Sequence, residues 1–308
     1  MTGTALAGVL PVLSTPFTAA DEIDEEVISG EVDWLIGCGA DGITIAMVSE
    51  VLRLSDLERR DLTCMVVAAA GGRVPVVCSV GAESTRASVA LAEHAQQAGA
   101  AAVMAIPPAL VPLPDNEVRA FYEAVLAAVD IPVVVQDASG YVGQPLSIEL
   151  CAALLDRHGP DRVLFKPESE PIGPRLSSLL AATDGQARIF EGTGGAALVD
   201  SHRRGVVGTM PGPEVPWALV ALWRALELGE DKLVTAIHEP LVALVSLQGS
   251  LDAFVAVEKY LLVRQGVLVD ARRRHPYGYE IDRETAAEAD RLLHVLLTVL
   301  PVPPKPSR

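Results

Sequence analysis

The chain has 308 residues, half of them hydrophobic but only 4% aromatic, with 40 acidic against 24 basic residues and a formal net charge of −16. That balance argues against a nucleic-acid-binding role, which demands a basic face for phosphates, and it disfavours an anionic membrane surface as partner. With so few aromatics the core must be aliphatic, which suits parallel strands covered by helices, and α/β barrels of about 250 residues fold as one domain.

In chain order, MTGTALAGVLPVLSTPF has no basic leader and its apolar run is too short and broken for a signal peptide or membrane span, so a cytoplasmic protein is expected. Short apolar runs follow at 8–13, 41–47, 73–80, 101–107, 131–137, 161–166, 186–192 and 205–210, most of them preceded by Gly, Pro or Asp. Helical patterns lie between them. Asp24, Ser84, Asp115 and Ser147 open four, and Ser55 with Glu58 has capping-box spacing. Gly71, Gly99 and Gly159 stand where helices should stop. Eight strands alternating with helices imply a closed (β/α)₈ TIM barrel over 1–225. From Trp217 the pattern is wholly helical, so 226–308 form C-terminal helices packed on the barrel or on another subunit, with a frayed tail at PVPPKPSR. Cys38, Cys64, Cys78 and Cys151 show no CxxC and no His at ligand spacing, which predicts reduced thiols and no metal.

In such a barrel, chemistry sits at the C-terminal ends of the strands. The sixth run reads VLFKPES, and its Lys166 is one of only four lysines in the chain. An amine in an apolar barrel mouth loses hydration, which disfavours an ammonium; a neutral amine can attack a ketone and form an imine. From position alone, snorkelling to solvent or pairing with Glu168 is the competing reading. The other strand ends carry Val48, Ser49 and Glu50, then Gln136, then Glu191 and Thr193, then Met210.

GVLPVLSTPF, MVSEVLRLSDLERRDL, AAAVMAIPP, VLFKPES and RQGVLVDARRRHP stand in an order and spacing that resembles the dihydrodipicolinate synthase/N-acetylneuraminate lyase family of class I aldolase barrels. The resemblance implies Lys166 as the Schiff-base lysine, a small 2-oxo acid as substrate, no cofactor, and a homo-oligomer, dimer or tetramer. The chain departs from the family at the fifth strand, where QDASGYVG replaces the usual tyrosine run: Gln136 stands at the tyrosine position and Tyr141 at the arginine position. Met47 and Val48 replace two hydroxyl residues. These losses argue against lysine biosynthesis. MVSE, VVQDA, FKPE, EGTGG and RHP are instead similar to the 2-keto-3-deoxy sugar-acid dehydratase branch.

Under this reading the catalytic candidates are Lys166, Gln136 and Glu191, and the substrate-binding ones Val48, Ser49, Tyr141, Glu168, Thr193 and Met210. Amides around Val48 and Ser49, with the Ser49 hydroxyl, would hold the substrate carboxylate. Glu168 or Glu191 would handle protons, and Glu50 is read as structural. Two alternatives stand beside dehydration. One is a pyruvate-dependent aldolase with a less polar acceptor, because Met47, Val48, Ala109 and Leu110 make the expected mouth apolar. The other is a barrel that binds without catalysing.

Overall fold

A computed structural model of the chain describes residues 6–301 and residue 304, so the expected frayed tail lies, apart from Pro301 and Pro304, outside the described residues. Each apolar run carries a strand: β1 (Gly8–Val9), β2 (Ile43–Ile45), β3 (Val76–Ser79), β4 (Ala102–Ala105), β5 (Val133–Asp137), β6 (Val163–Pro167), β7 (Phe190–Glu191) and β8 (Gly208–Thr209). β2 to β6 pair in order, all parallel, and β7–β8–β1 form a second parallel set. The bridges Val12–Thr44 and Phe165–Ile189 join the two sets into a closed barrel.

The helices α1 (Glu25–Gly37), α2 (Asp56–Ala70), α3 (Thr85–Ala98), α4 (Asp115–Ala128) and α5 (Ile148–His158) begin where the sequence signals them. Ser55 and Glu58 exchange both bonds of a capping box, and Ser84 and Ser147 accept from their own first turns. Gly71 and Gly99 close α2 and α3 in the left-handed region, with φ of 56° and 98°. α6 (Ile172–Ala182) and α7 (Leu198–Arg203) start at Pro171 and Ala197, without a capping side chain, which is why no start signal marks them in the sequence.

Alternation along the strands sorts the core into two parts. Val134, Leu164, Phe190 and Met210 point inward with Val12, Ala46, Val77, Ala102 and Met104 and fill the barrel interior. Val133, Val135, Val163 and Phe165 point outward and meet the helices. Period two then carries Gln136 and Lys166 inward above Val134 and Leu164, and turns Asp137 and Glu191 outward.

α8 (Pro216–Leu228) is the last barrel helix, and a boundary between 225 and 226 falls inside it. α9 (Asp231–Val245) packs on α8 and on α11 (Arg283–Val299), while α10 (Leu251–Arg264) packs on α11 and on a 3₁₀ turn at Met47–Ser49. That seats α10 across the mouth of the barrel. Lys259 pins it there: fully buried, its ammonium donates to Glu50 (2.5 Å), to the Thr15 carbonyl (2.7 Å) and to the Arg272 carbonyl (2.5 Å). Glu50 accepts from the Arg274 amide with its second oxygen and takes φ 59°, so its structural reading agrees with its contacts. All four cysteines are free thiols; Cys64 is exposed, and burial pushes Cys38, Cys78 and Cys151 up to about 12.

Candidate active site

Lys166 is 4% exposed at the mouth end of β6, directly across from Gln136 in the β5–β6 register. It does not snorkel. Its Nζ donates to Glu168 Oε1 at 2.7 Å, and Gln136 Nε2 donates to Glu168 Oε2 at 2.6 Å. Glu168 is held by its backbone as well, since its amide extends the sheet by donating to the Asp137 carbonyl at 2.8 Å. One buried carboxylate therefore bridges the amine and the amide, each oxygen taking one donor. Burial of an ion pair costs desolvation that only close geometry offsets, so a pair in this position marks a site more than it stabilises the fold.

These three residues line a cavity that opens at the barrel mouth, where a few polar groups converge against an otherwise apolar lining. Tyr141 reaches it from the loop after β5; burial and the carboxylates of Glu168, Glu191 and Glu214 push its phenol up to about 12, so it stays a neutral donor. Val48 and Met210 line the cavity too. The amides of Met47 and Val48, in the first turn of the 3₁₀ segment, have no acceptor among the described residues. The opposite wall is apolar and comes from α10, through Leu251 and Phe254. Among the described residues no cluster of His, Cys, Asp and Glu could hold a metal ion, and no helix is long and apolar enough to cross a membrane.

The model of the dihydrodipicolinate synthetase family matches residues 5–295. The chain belongs to that family. An L-2-keto-3-deoxyarabonate dehydratase from Azospirillum brasilense is 30% identical over 286 residues, 91% of each chain. A probable 2-dehydro-3-deoxy-D-pentonate aldolase from Escherichia coli K12 is 26% identical over 96% of this chain and 99% of its own. Among solved structures, a putative dihydrodipicolinate synthetase from Pseudomonas aeruginosa matches with a TM-score of 0.87 at 24% identity, over 94% of this chain and 99% of its own. A dihydrodipicolinic acid synthase-family protein from E. coli K12, crystallised with pyruvate, matches at 0.86 and 24%, over 95% and 99%. At these identities the structures speak for the fold, a TIM barrel with C-terminal helices.

Within this member of the dihydrodipicolinate synthetase family, three sequence-derived candidates lie elsewhere than expected. Ser49 is fully buried: its hydroxyl donates to the Leu13 carbonyl (2.5 Å) and accepts from the Ala46 amide (3.1 Å), while its own amide is bonded to the Ala46 carbonyl. It closes the 3₁₀ turn and does not face the cavity. Glu191 and Thr193 do not line the cavity either. Glu191 accepts from the Thr209 hydroxyl at 2.7 Å with one oxygen and from the amide and hydroxyl of Thr193 with the other. The reason is parity: Phe190 fills the barrel interior, so Glu191 must face outward, beside its register partner Thr209. Ala109 and Leu110, expected at the mouth, are also absent from it; Glu83 holds both amides, and Leu110 is 82% exposed.

Leu251, Phe254, Gly192 and Gly212 escape the sequence reading. Only the glycines carry a signal, as residues just beyond strand ends. A Cβ on Gly192 would lie 2.6 Å from Glu168 Cγ, so glycine there lets Glu168 stand beside Lys166. Gly192→Ala is expected to push that carboxylate off the amine and lower kcat by about 10-fold or more, on the scale that small misplacements cost at reacting centres. Steady-state kinetics with far-ultraviolet circular dichroism as a folding control checks this; unchanged kcat would mean Glu168 has room to move.

Proposed function

We propose that this protein is a lysine Schiff-base lyase that dehydrates a short 3-deoxy-2-oxo acid of the sugar-acid type. The observation that carries the reading is the buried contact between Lys166 Nζ and Glu168 Oε1 at 2.7 Å, inside a cavity lined by Gln136 and Tyr141. The unpartnered amides of Met47 and Val48 would take the substrate carboxylate, in place of the Ser49 hydroxyl. Glu168 takes the ammonium proton, and the amine attacks C2 of the substrate. Loss of the C2 oxygen as water leaves a protonated imine, which acidifies the C3 hydrogens. Glu168 then removes a C3 proton, the C4 hydroxyl leaves, and a proton delivered to it completes a second water. Tyr141, as a neutral phenol, can hydrogen-bond that hydroxyl. Water finally hydrolyses the imine and restores Lys166. The names of the relatives, a keto-deoxyarabonate dehydratase and a probable deoxypentonate aldolase, support the substrate class.

A second reading is favoured by one observation, the apolar wall of Leu251 and Phe254. It is retro-aldol cleavage of a 4-hydroxy-2-oxo acid with a less polar tail, releasing pyruvate. The proposal also includes assembly as a homo-oligomer, dimer or tetramer, which light scattering would size.

The test incubates the protein with pyruvate and with 2-keto-3-deoxy pentonates, reduces with borohydride and locates adducts by mass spectrometry. A lactate dehydrogenase-coupled assay runs beside it. An adduct on Lys166 with consumption of the pentonate and no pyruvate supports dehydration; pyruvate release supports the aldolase. No adduct with any 2-oxo acid would overturn both and leave a binding barrel.

A further inference from the structure

Behind the cavity wall lies a second group of buried charges that the proposed chemistry does not use. Glu31 of α1 and Glu258 of α10 are fully buried, and Glu214, between β8 and α8, is 2% exposed. Glu31 accepts from the Ser14 amide at 2.8 Å with one oxygen, and Glu214 accepts from Gln248 at 2.7 Å with one of its own. The second oxygen of each, both oxygens of Glu258, the Ser14 hydroxyl and the Gln248 side-chain carbonyl are buried with no partner among the described residues. The Ser14 hydroxyl faces Glu258 and is the one donor near it, outside the geometry of a full hydrogen bond.

Six buried oxygens from separate parts of the chain thus lack partners, Glu258 feels the charges of both Glu214 and Glu31, and the Ser14 hydroxyl is the only one of the six that brings a hydrogen. Buried oxygens without donors are costly, and buried charges without countercharge more so. The one cation facing the group among the described residues is Lys259, next to Glu258, and its donors already serve Glu50 and the carbonyls of Thr15 and Arg272. The other charged ends of α10 are paired away from the group, Asp252 with Arg53 and Arg264 with Asp290. What can supply the missing donors is protons on the carboxyls themselves. Like-charged carboxyls in a shared dry site hold protons in this way.

The group also adjoins the pocket. A Cβ on Gly212 would collide with the free oxygen of Glu214 and with the Phe254 ring, so Gly212 brings the two into one neighbourhood. We propose that Glu31 and Glu258, with Glu214 beside them, form a proton-loaded latch, in which carboxyl protons hold α10 down across the barrel mouth and their loss as pH rises frees the helix and, with it, the Leu251–Phe254 wall. The effect on substrate binding rests on reading that pocket as the reaction site; the latch itself does not.

The direction of the titrations agrees. Desolvation pushes Glu31 up to about 8, holds Glu258 well above the usual carboxylate range, where Glu214 adds to the effect, and raises Glu214 as well. Groups whose folded pKa is raised bind more protons in the folded state, so stability declines as pH rises from the unfolded value through the folded one. For Glu31 that window runs from 4.5 to about 8. Lys259 is pushed downward by its burial, against the pull of Glu50, and has the opposite sign at higher pH.

The experiment is hydrogen–deuterium exchange of the full chain over Leu251–Arg264, with melting temperature, across about pH 6 to 9 and corrected for the intrinsic exchange rate. In the wild type, exchange in α10 should rise and the melting temperature fall with pH. Glu31→Gln and Glu258→Gln mimic the protonated carboxyls and should remove at least about half of that pH dependence. A pH dependence unchanged in both variants, or variants destabilised equally at every pH, would overturn the latch. Should either fail to fold, the wild type alone decides: a protonated carboxyl stretch in the infrared spectrum at neutral pH that fades in alkali supports the latch, and its absence sinks it. Borohydride trapping on the same samples separates the readings, because a missing imine with pH-dependent exchange would remove the lyase and leave the latch.

Discussion

Lys166→Ala is expected to give no borohydride adduct with any 2-oxo acid and to lower turnover by about 10⁴-fold or more, the scale on which loss of a covalent nucleophile acts. Without the amine there is no imine, and without the imine no electron sink for the carbanion at C3. The substitution has a second consequence. It leaves Glu168, 7% exposed, with Gln136 as its one remaining side-chain donor among the described residues, and an uncompensated buried charge costs about 3–5 kcal/mol. Loss of activity could then be mistaken for loss of folding. The double variant Lys166→Met/Glu168→Gln removes both charges together and should recover most of the stability while staying inactive. Chemical denaturation beside mass-spectrometric trapping reads the two effects separately. A Lys166→Ala protein that still traps pyruvate would move the chemistry to another amine.

Glu168→Gln should behave differently. The amide keeps the size of the side chain and can still bond Gln136 or Lys166, but it can take no proton. Turnover is expected to fall by about 10²–10⁴-fold, the range for loss of a positioned acid–base group. The adduct on Lys166 should still accumulate, though more slowly, because the ammonium must then lose its proton to water before the amine attacks. That split between retained adduct and lost turnover is the signature of a proton-handling group, which a merely structural carboxylate would not produce. If the final yield of adduct fell as far as turnover, Glu168 would instead serve chiefly to position the lysine. If neither changed, the proton would have to travel by another route, and Tyr141 would be the next group to replace, by phenylalanine.

The sequence and the structure agree best where the physics is local. Ser55 with Glu58, Ser84 and Ser147 cap helices as their spacing demands, because a cap needs only residues within one turn. The eight apolar runs are eight strands, and Lys166 is legible at the end of one because an ammonium-bearing side chain in an aliphatic run is conspicuous. The cavity-facing reading of Glu191 fails for a reason that the sequence itself contains. Phe190 is the large apolar residue that fills the barrel, and alternation then turns its neighbour outward. Ser49 could not be settled this way, since its hydroxyl is consumed by the Leu13 carbonyl, 36 residues away in the chain.

The alternating aliphatic barrel, the helix boundaries that carry caps, and the lysine at the end of the sixth strand can all be read from the chain alone, since each depends on neighbours within a few residues. That Glu168 joins Lys166 to Gln136, that α10 lines the mouth with Leu251 and Phe254, and that Glu31 and Glu214 are buried near enough to act on Glu258 emerged from the folded chain alone. Those contacts join residues from distant strands and helices, and their geometry exists only once the ring has closed and α10 has packed across it.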